Sequence, residues 1–168
     1  MRKELENIFL AALNQNQQKL LRICSVYAKD AEDTKDLFQE VLINIWQSMP
    51  NFEAKSSIGT WMFRITLNVC LRFRTKYIKK QNRFINMDSV IIANIRADER
   101  SNEQNEQLTN LRSCIKKLNE ADKAVIALYL EELPYKEISN IMGLTENHIA
   151  VKVKRIKTKL LNCINKTL

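Results

Sequence analysis

Glycine and proline are almost missing from this chain: its 168 residues hold two of each. So few turn-formers argue against many short strands joined by tight turns and favour long helices linked by Asn, Asp and Ser loops. The two glycines, Gly59 and Gly143, lie too far apart to share one phosphate-cradling loop, which excludes a P-loop and a dinucleotide fingerprint. There is a single histidine and no nucleophile elbow, so little material exists for hydrolysis and no catalytic residue is expected. Cys24, Cys70, Cys114 and Cys163 stand more than forty residues apart, with no CxxC or CxxH pair. A local zinc site needs clustered ligands, so neither metal nor cofactor is expected. Met1–Leu10 mixes both charge signs and has no apolar run, unlike a secretory signal. No stretch approaches the length of a membrane span. Reduced thiols in a cytoplasmic setting are the expectation.

What is present fits a globular class. Hydrophobic residues make up 45% and charged residues 27%, near the averages for soluble proteins. The length suits one ordinary domain or two small ones, each of modest stability. The net charge is +8, and its layout is more informative than its size. Residues 1–84 carry 14 basic and 8 acidic groups, residues 85–110 carry 2 and 5, and residues 111–168 carry 11 and 6. Two basic blocks therefore flank an acidic middle. Arg64 to Arg83 holds seven Lys and Arg without an acid, and Val151 to Leu160 holds five. Such clusters suit a polyanion, most simply nucleic acid; solvated helix faces are the plainer alternative.

Apolar residues recur at helical spacing in two blocks. Leu5, Ile8, Phe9, Ala12 and Leu13 form one stripe, and Leu20, Ile23, Cys24 and Tyr27 a second, read as separate helices. Leu37, Val41, Leu42 and Ile45 form a third stripe that Pro50 closes, and Ile58, Trp61, Ile65 and Val69 a fourth. Asp33 or Thr34 is placed to cap the third helix, with Asp36 in its first turn. From about Phe84 to Glu106 the pattern weakens into a linker. It returns with Leu108, Leu111, Ile115 and Leu118, then Val125, Leu128 and Tyr129.

The sharpest local signal closes the chain. Pro134 can open a helix over Tyr135–Met142, because its missing N–H would be unpaired there anyway. Gly143 supplies the left-handed residue that stops it, and Leu144 can pack inward. Thr145 caps a further helix whose Ile149, Val153, Ile156 and Leu160 share a face. Lys152, Lys154, Arg155, Lys157 and Lys159 project from the rest. Residues 151–157 also alternate with period two, as an exposed strand would, but the stripe and the cap favour helix. A short helix, a glycine turn and a basic second helix describe a helix-turn-helix.

These elements together resemble the bacterial sigma factors of the sigma-seventy family, in its small extracytoplasmic-function group. Asp36-Leu37-Phe38-Gln39-Glu40-Val41, followed by Ile45-Trp46, is similar to that family's core-polymerase-binding helix. Trp61-Met62-Phe63-Arg64-Ile65 with Asn68 resembles its helix for melting and reading the minus-ten promoter element. Tyr135-Lys136-Glu137-Ile138 through Arg155 is similar to its reader of the minus-thirty-five element. The chain departs from the family where the reading helix often begins Gly-Thr-Val: it has Asn147-His148-Ile149, then Ala150-Val151. That bears on which promoter is read.

The resemblance implies an all-α protein of two small domains, residues 1–84 and 107–168, joined by a flexible linker over 85–106 that leaves their spacing unset. It implies a non-enzymatic initiation factor whose partners are core RNA polymerase, promoter DNA as duplex and melted strand, and an anti-sigma factor, with no small-molecule substrate. Asp36, Gln39 and Glu40 share one helix face and, with Leu37, Ile45 and Trp46, make the expected polymerase-binding set. Trp61, Arg64, Asn68 and Arg72 make the expected minus-ten set, combining a stacking ring, cations and an amide. Trp61 lies on the apolar stripe too, so core and base contact both stand open for it. His148, Ala150, Val151, Lys152, Lys154 and Arg155 make the expected minus-thirty-five set. A stand-alone helix-turn-helix regulator and a helical interaction protein are the alternatives.

Overall fold

The computed structural model describes residues 1–83 and 102–167. Among them are seven α-helices, one 3-10 turn and no strand. The order is α1 (Arg2–Tyr27), α2 (Ala31–Ser48), the turn Met49–Asn51, α3 (Ile58–Arg83), α4 (Asn102–Lys116), α5 (Glu120–Leu130), α6 (Tyr135–Met142) and α7 (Glu146–Thr167). Of the expected linker, residues 85–101 lie outside the described residues, and 102–106 already belong to α4.

Two local expectations are corrected. The first two apolar stripes belong to one continuous helix, α1. Asn14–Gln18 interrupts the apolar pattern but contains neither Gly nor Pro, so the backbone runs on, with Asn16 Nδ2 donating to the Ala12 carbonyl at 2.8 Å. The cap of α2 is Asp30, whose carboxylate accepts the Asp33 N–H at 2.8 Å, while Asp33 in turn accepts the Lys29 N–H at 3.0 Å. Asp33 thus gives its N–H to the cap while its carboxylate takes the N–H of Lys29, the residue before the cap; in a full capping box that second bond would come from the cap's own N–H. Thr34 sits inside the helix and donates to the Asp30 carbonyl. Pro50 does end α2, within the 3-10 turn.

Helices α1, α2 and α3 pack around Leu20, Ile23, Leu37, Val41, Ile45 and Phe63, all nearly or fully buried. In the C-terminal half, Val125, Leu128, Ile138, Ile149, Val153 and Ile156 play the same part. Burial of 149, 153 and 156 settles helix over strand for the basic segment, since period-two strand geometry would not place these three on one face. Gly143 takes φ +69°, and its N–H and that of Leu144 both reach the Ser139 carbonyl, at 2.9 and 3.2 Å. Thr145 Oγ1 then accepts the His148 N–H at 3.1 Å, the expected cap.

The thiol expectation holds for one cysteine pair and is corrected for the other. Cys24 and Cys70 are free and buried in the N-terminal core, where a hydrogen bond with Cys24, then burial, pushes the Cys70 thiol well up. Cys114 of α4 and Cys163 of α7 form a disulfide with Cα atoms 6.0 Å apart. A sequence separation of 49 hides this pair; only the packing of α4 against α7 reveals it. Among the described residues, no helix is long and apolar enough to cross a membrane.

The halves also meet directly, so their spacing is not left unset. Arg22 of α1 grips Glu131 with Nε at 2.8 Å and Nη2 at 2.6 Å. Lys123 of α5 is fully buried and lies over the Tyr27 ring of α1 at 5.7 Å, with Glu120 Oε1 3.5 Å away. Burial, only partly offset by Glu120, lowers its pKa. Tyr27 Oη is buried without a hydrogen-bond partner among the described residues, and burial pushes its phenol up.

Candidate nucleic-acid interface

Three exposed surfaces carry the residues expected to do the work. The first is on α2. Asp36 and Gln39 are exposed and Glu40 half-buried, sharing a face as their spacing demands. Leu37 and Ile45 of the expected polymerase-binding set are sealed in the core at 0% exposure, so they hold this face in place rather than touch a partner. Trp46 is half-buried, its ring edge-on to Phe9 at 5.3 Å.

The second surface is on α3. Arg64, Asn68 and Arg72 recur every four residues and are all exposed, forming a line of two cations and an amide. Arg72 Nη2 donates to Asn44 Oδ1 of α2 at 3.2 Å. Trp61 is half-buried and tilts against Phe52 at 5.0 Å, so one part of its ring serves the core and another remains open. At the N-terminal end of this line the other half intrudes. Arg64 Nη2 donates to the Asn140 carbonyl of α6 at 2.6 Å, and Thr60 Oγ1 donates to Glu137 Oε1 at 2.9 Å. The first helix of the helix-turn-helix thus lies against the upper end of the α3 face.

The third surface is on α7, and its five cations divide into two sets. Lys154 and Arg155 are exposed, and their side chains have no hydrogen bond or ion pair among the described residues. Lys152 Nζ instead lies 3.0 Å from Asp122 Oδ1, and Lys159 Nζ 2.7 Å from Asp122 Oδ2. Lys157 Nζ donates to Tyr129 Oη at 2.6 Å and stands 4.5 Å over that ring. His148 and Val151 are exposed and Ala150 half-buried, close to the helix N-terminus. Lys152, expected as a DNA contact, is thereby occupied within the chain. Burial raises the Asp122 carboxyl, but hydrogen bonds from Lys159 and Lys152 and their charge outweigh it and hold it below its ordinary value.

Sequence reasoning missed Asp122, Arg22 and Glu131, and the contact between Thr60 and Glu137. Asp122 follows the Asn119 cap of α5 and reads as an ordinary first-turn acid favoured by the helix dipole. Nothing in its neighbours along the chain shows that it faces α7. No group of His, Cys, Asp and Glu fit to hold a metal occurs among the described residues.

Comparison with known proteins bears on the family of the chain. A family model of sigma-70 region 2 matches residues 12–84, and one of sigma-70 region 4 matches residues 108–160. The RNA polymerase sigma factor SigZ of Bacillus subtilis is 30% identical over 148 residues, covering 88% of this chain and 81% of SigZ. The ECF RNA polymerase sigma factor SigG of Mycobacterium tuberculosis is 36% identical over 63 residues. That match covers 38% of this chain but only 17% of SigG. The sigma factor RpoE of Bartonella quintana, solved in complex with the anti-sigma factor NepR, shares the fold at a TM-score of 0.67 and 21% identity, covering 97% of this chain and 98% of RpoE. A region 2 match, a region 4 match and a relative aligned through both make one conclusion: the chain belongs to the sigma-70 family of RNA polymerase sigma factors, in its extracytoplasmic-function group.

Proposed function

We propose that this chain binds core RNA polymerase and directs it to promoters, with no catalytic step of its own. Residues 1–84 act as the polymerase-binding and minus-ten domain, residues 107–168 as the minus-thirty-five domain, and 85–106 as the link. The α2 face of Asp36, Gln39 and Glu40 meets basic side chains on the polymerase, with Trp46 at its end. Arg64, Asn68 and Arg72, beside the open part of Trp61, take the melted minus-ten strand, where bases stack and phosphates follow positive charge. On α7, His148, Ala150 and Val151 face base edges while Lys154 and Arg155 reach a base or phosphates. The cytoplasm is its place of work, and an anti-sigma factor, as seen with RpoE, is a further partner.

The observation that carries this reading is the alignment with a sigma factor through both regions. The seam supports a further point: docking on polymerase must free Arg64 from Asn140, so the isolated chain binds duplex weakly and with strong salt dependence. The test is run-off transcription from a genomic fragment library with core alone, this chain alone, and both. Discrete transcripts are expected only with both. Tight binding of one duplex site without core, and no new transcript with it, would establish a stand-alone regulator instead. Reversing charge with Glu40→Lys should sharply weaken capture of core by a folded variant.

A further inference from the structure

The basic helix α7 carries five cations between residues 151 and 160, yet α5 disarms most of them. Asp122 is 4% exposed and receives Lys152 and Lys159 on separate oxygens, at 3.0 and 2.7 Å. These lysines are seven residues apart, about 10 Å along the helix axis. One carboxylate between them therefore resists a tilt of α7 in either direction, since each tilt breaks one of the two bonds. The same bonds hold two ammonium groups on a carboxylate, Lys152 half-buried and Lys159 at the surface with its side chain 56% exposed, while the exposed Lys154 and Arg155 side chains carry no such partner.

We propose that Asp122 is a positioning residue that sets promoter specificity: it fixes α7 and withholds Lys152 and Lys159 from the DNA backbone. This rests on the reading of α7 as a DNA-contacting helix. The physical reason is general. Phosphate contacts add affinity for every sequence alike, whereas base-edge contacts add it for one. Removing two phosphate-seeking cations lowers non-specific binding and leaves a larger share of the affinity to His148, Ala150 and Val151. Simple neutralisation by Gln at both lysines would do the same for charge, but would not hold the helix.

The salt dependence of binding reads this out, because each phosphate contact contributes about 0.9 to the slope of log affinity against log salt. The full-length chain is titrated with a short duplex of arbitrary sequence over a range of salt. Asp122→Asn should raise low-salt affinity and steepen the slope by about 1.8, so a fourfold rise in salt costs it roughly tenfold more binding than the parent. The triple variant Asp122→Asn with Lys152→Gln and Lys159→Gln should return the slope to the parent value. A merely structural role would lower affinity without steepening the slope, and would overturn the proposal. So would a triple variant whose slope falls about 1.8 below the parent, since the lysines would then already sit on phosphates. If Asp122→Asn does not fold by circular dichroism, the triple variant, which leaves no charge unpaired at this site, decides alone. Lys154→Gln with Arg155→Gln is the control: its slope should fall by a similar amount. A flat response there would remove α7 from DNA and overturn the underlying reading, whatever Asp122 does.

Discussion

The two halves of the chain are held together by different means. The N-terminal half relies on apolar helix packing, its cysteines free and its buried polar residues, among those described, confined to Thr60 and Thr66. The C-terminal half holds every buried charge among the described residues, namely Asp122, Lys123 and Glu131, and carries the disulfide. Its matched region spans only residues 108–160, and a domain that small buries too little apolar surface to be secure by that route alone. Cross-links and ion pairs take up the shortfall. The lesson is that the C-terminal half should answer to redox state, salt and acid, and the N-terminal half should not.

Reduction should open the widest gap between them. Closing a loop of 49 residues stabilises a fold by about 4 kcal/mol in the chain-entropy account. Adding a dithiol reductant should therefore speed amide hydrogen exchange through α4, α5 and α7 while α2 keeps its protection. Equal loss in both halves would break the comparison. The seam comes next. Arg22→Ala leaves the Glu131 carboxylate, 7% exposed, without its partner, which costs about 2 kcal/mol. Opening the halves rehydrates that carboxylate, so the variant should show a larger radius of gyration in small-angle scattering.

Acid should act more mildly and on one side only. Asp122 has a depressed pKa, so its ion pairs contribute fully above the ordinary carboxylate value and are lost as pH falls through the depressed one. Melting of the C-terminal half should decline over that acidic window in the parent and stay flatter in Asp122→Asn. A parallel decline in both would assign the acid sensitivity to another carboxylate. The smallest effect concerns the turn after α5, where Glu132 adopts φ +60°. A non-glycine residue there costs about 1 kcal/mol, so Glu132→Gly should raise the melting temperature slightly, and only in the C-terminal half.

Legibility in the sequence followed the range of the interaction. Helices α6 and α7, the Gly143 stop and the Thr145 cap were readable because each depends on residues within four positions. The cap of α2 was misread as Asp33 or Thr34, since Asp30, Asp33 and Thr34 are all capping residue types and only the bond from the Asp33 N–H to the Asp30 carboxylate separates them. The set Arg64, Asn68 and Arg72 came with the family resemblance, and its four-residue spacing agrees with the one exposed line it forms on α3. Lys152 looked equivalent to Lys154 because helical spacing says which side a residue faces but not what faces it.

By itself the sequence determined an all-helical chain with a helix-turn-helix and two basic blocks. It did so through period, caps and charge, all local properties of an amphipathic chain. Tertiary structure decided which cations remain available, that Cys114 meets Cys163, and that α6 lies against the end of the α3 face. These depend on contacts between residues 37 apart at Asp122 and Lys159, and 76 apart at Arg64 and Asn140. No short-range pattern encodes such contacts; they exist only once the helices have packed.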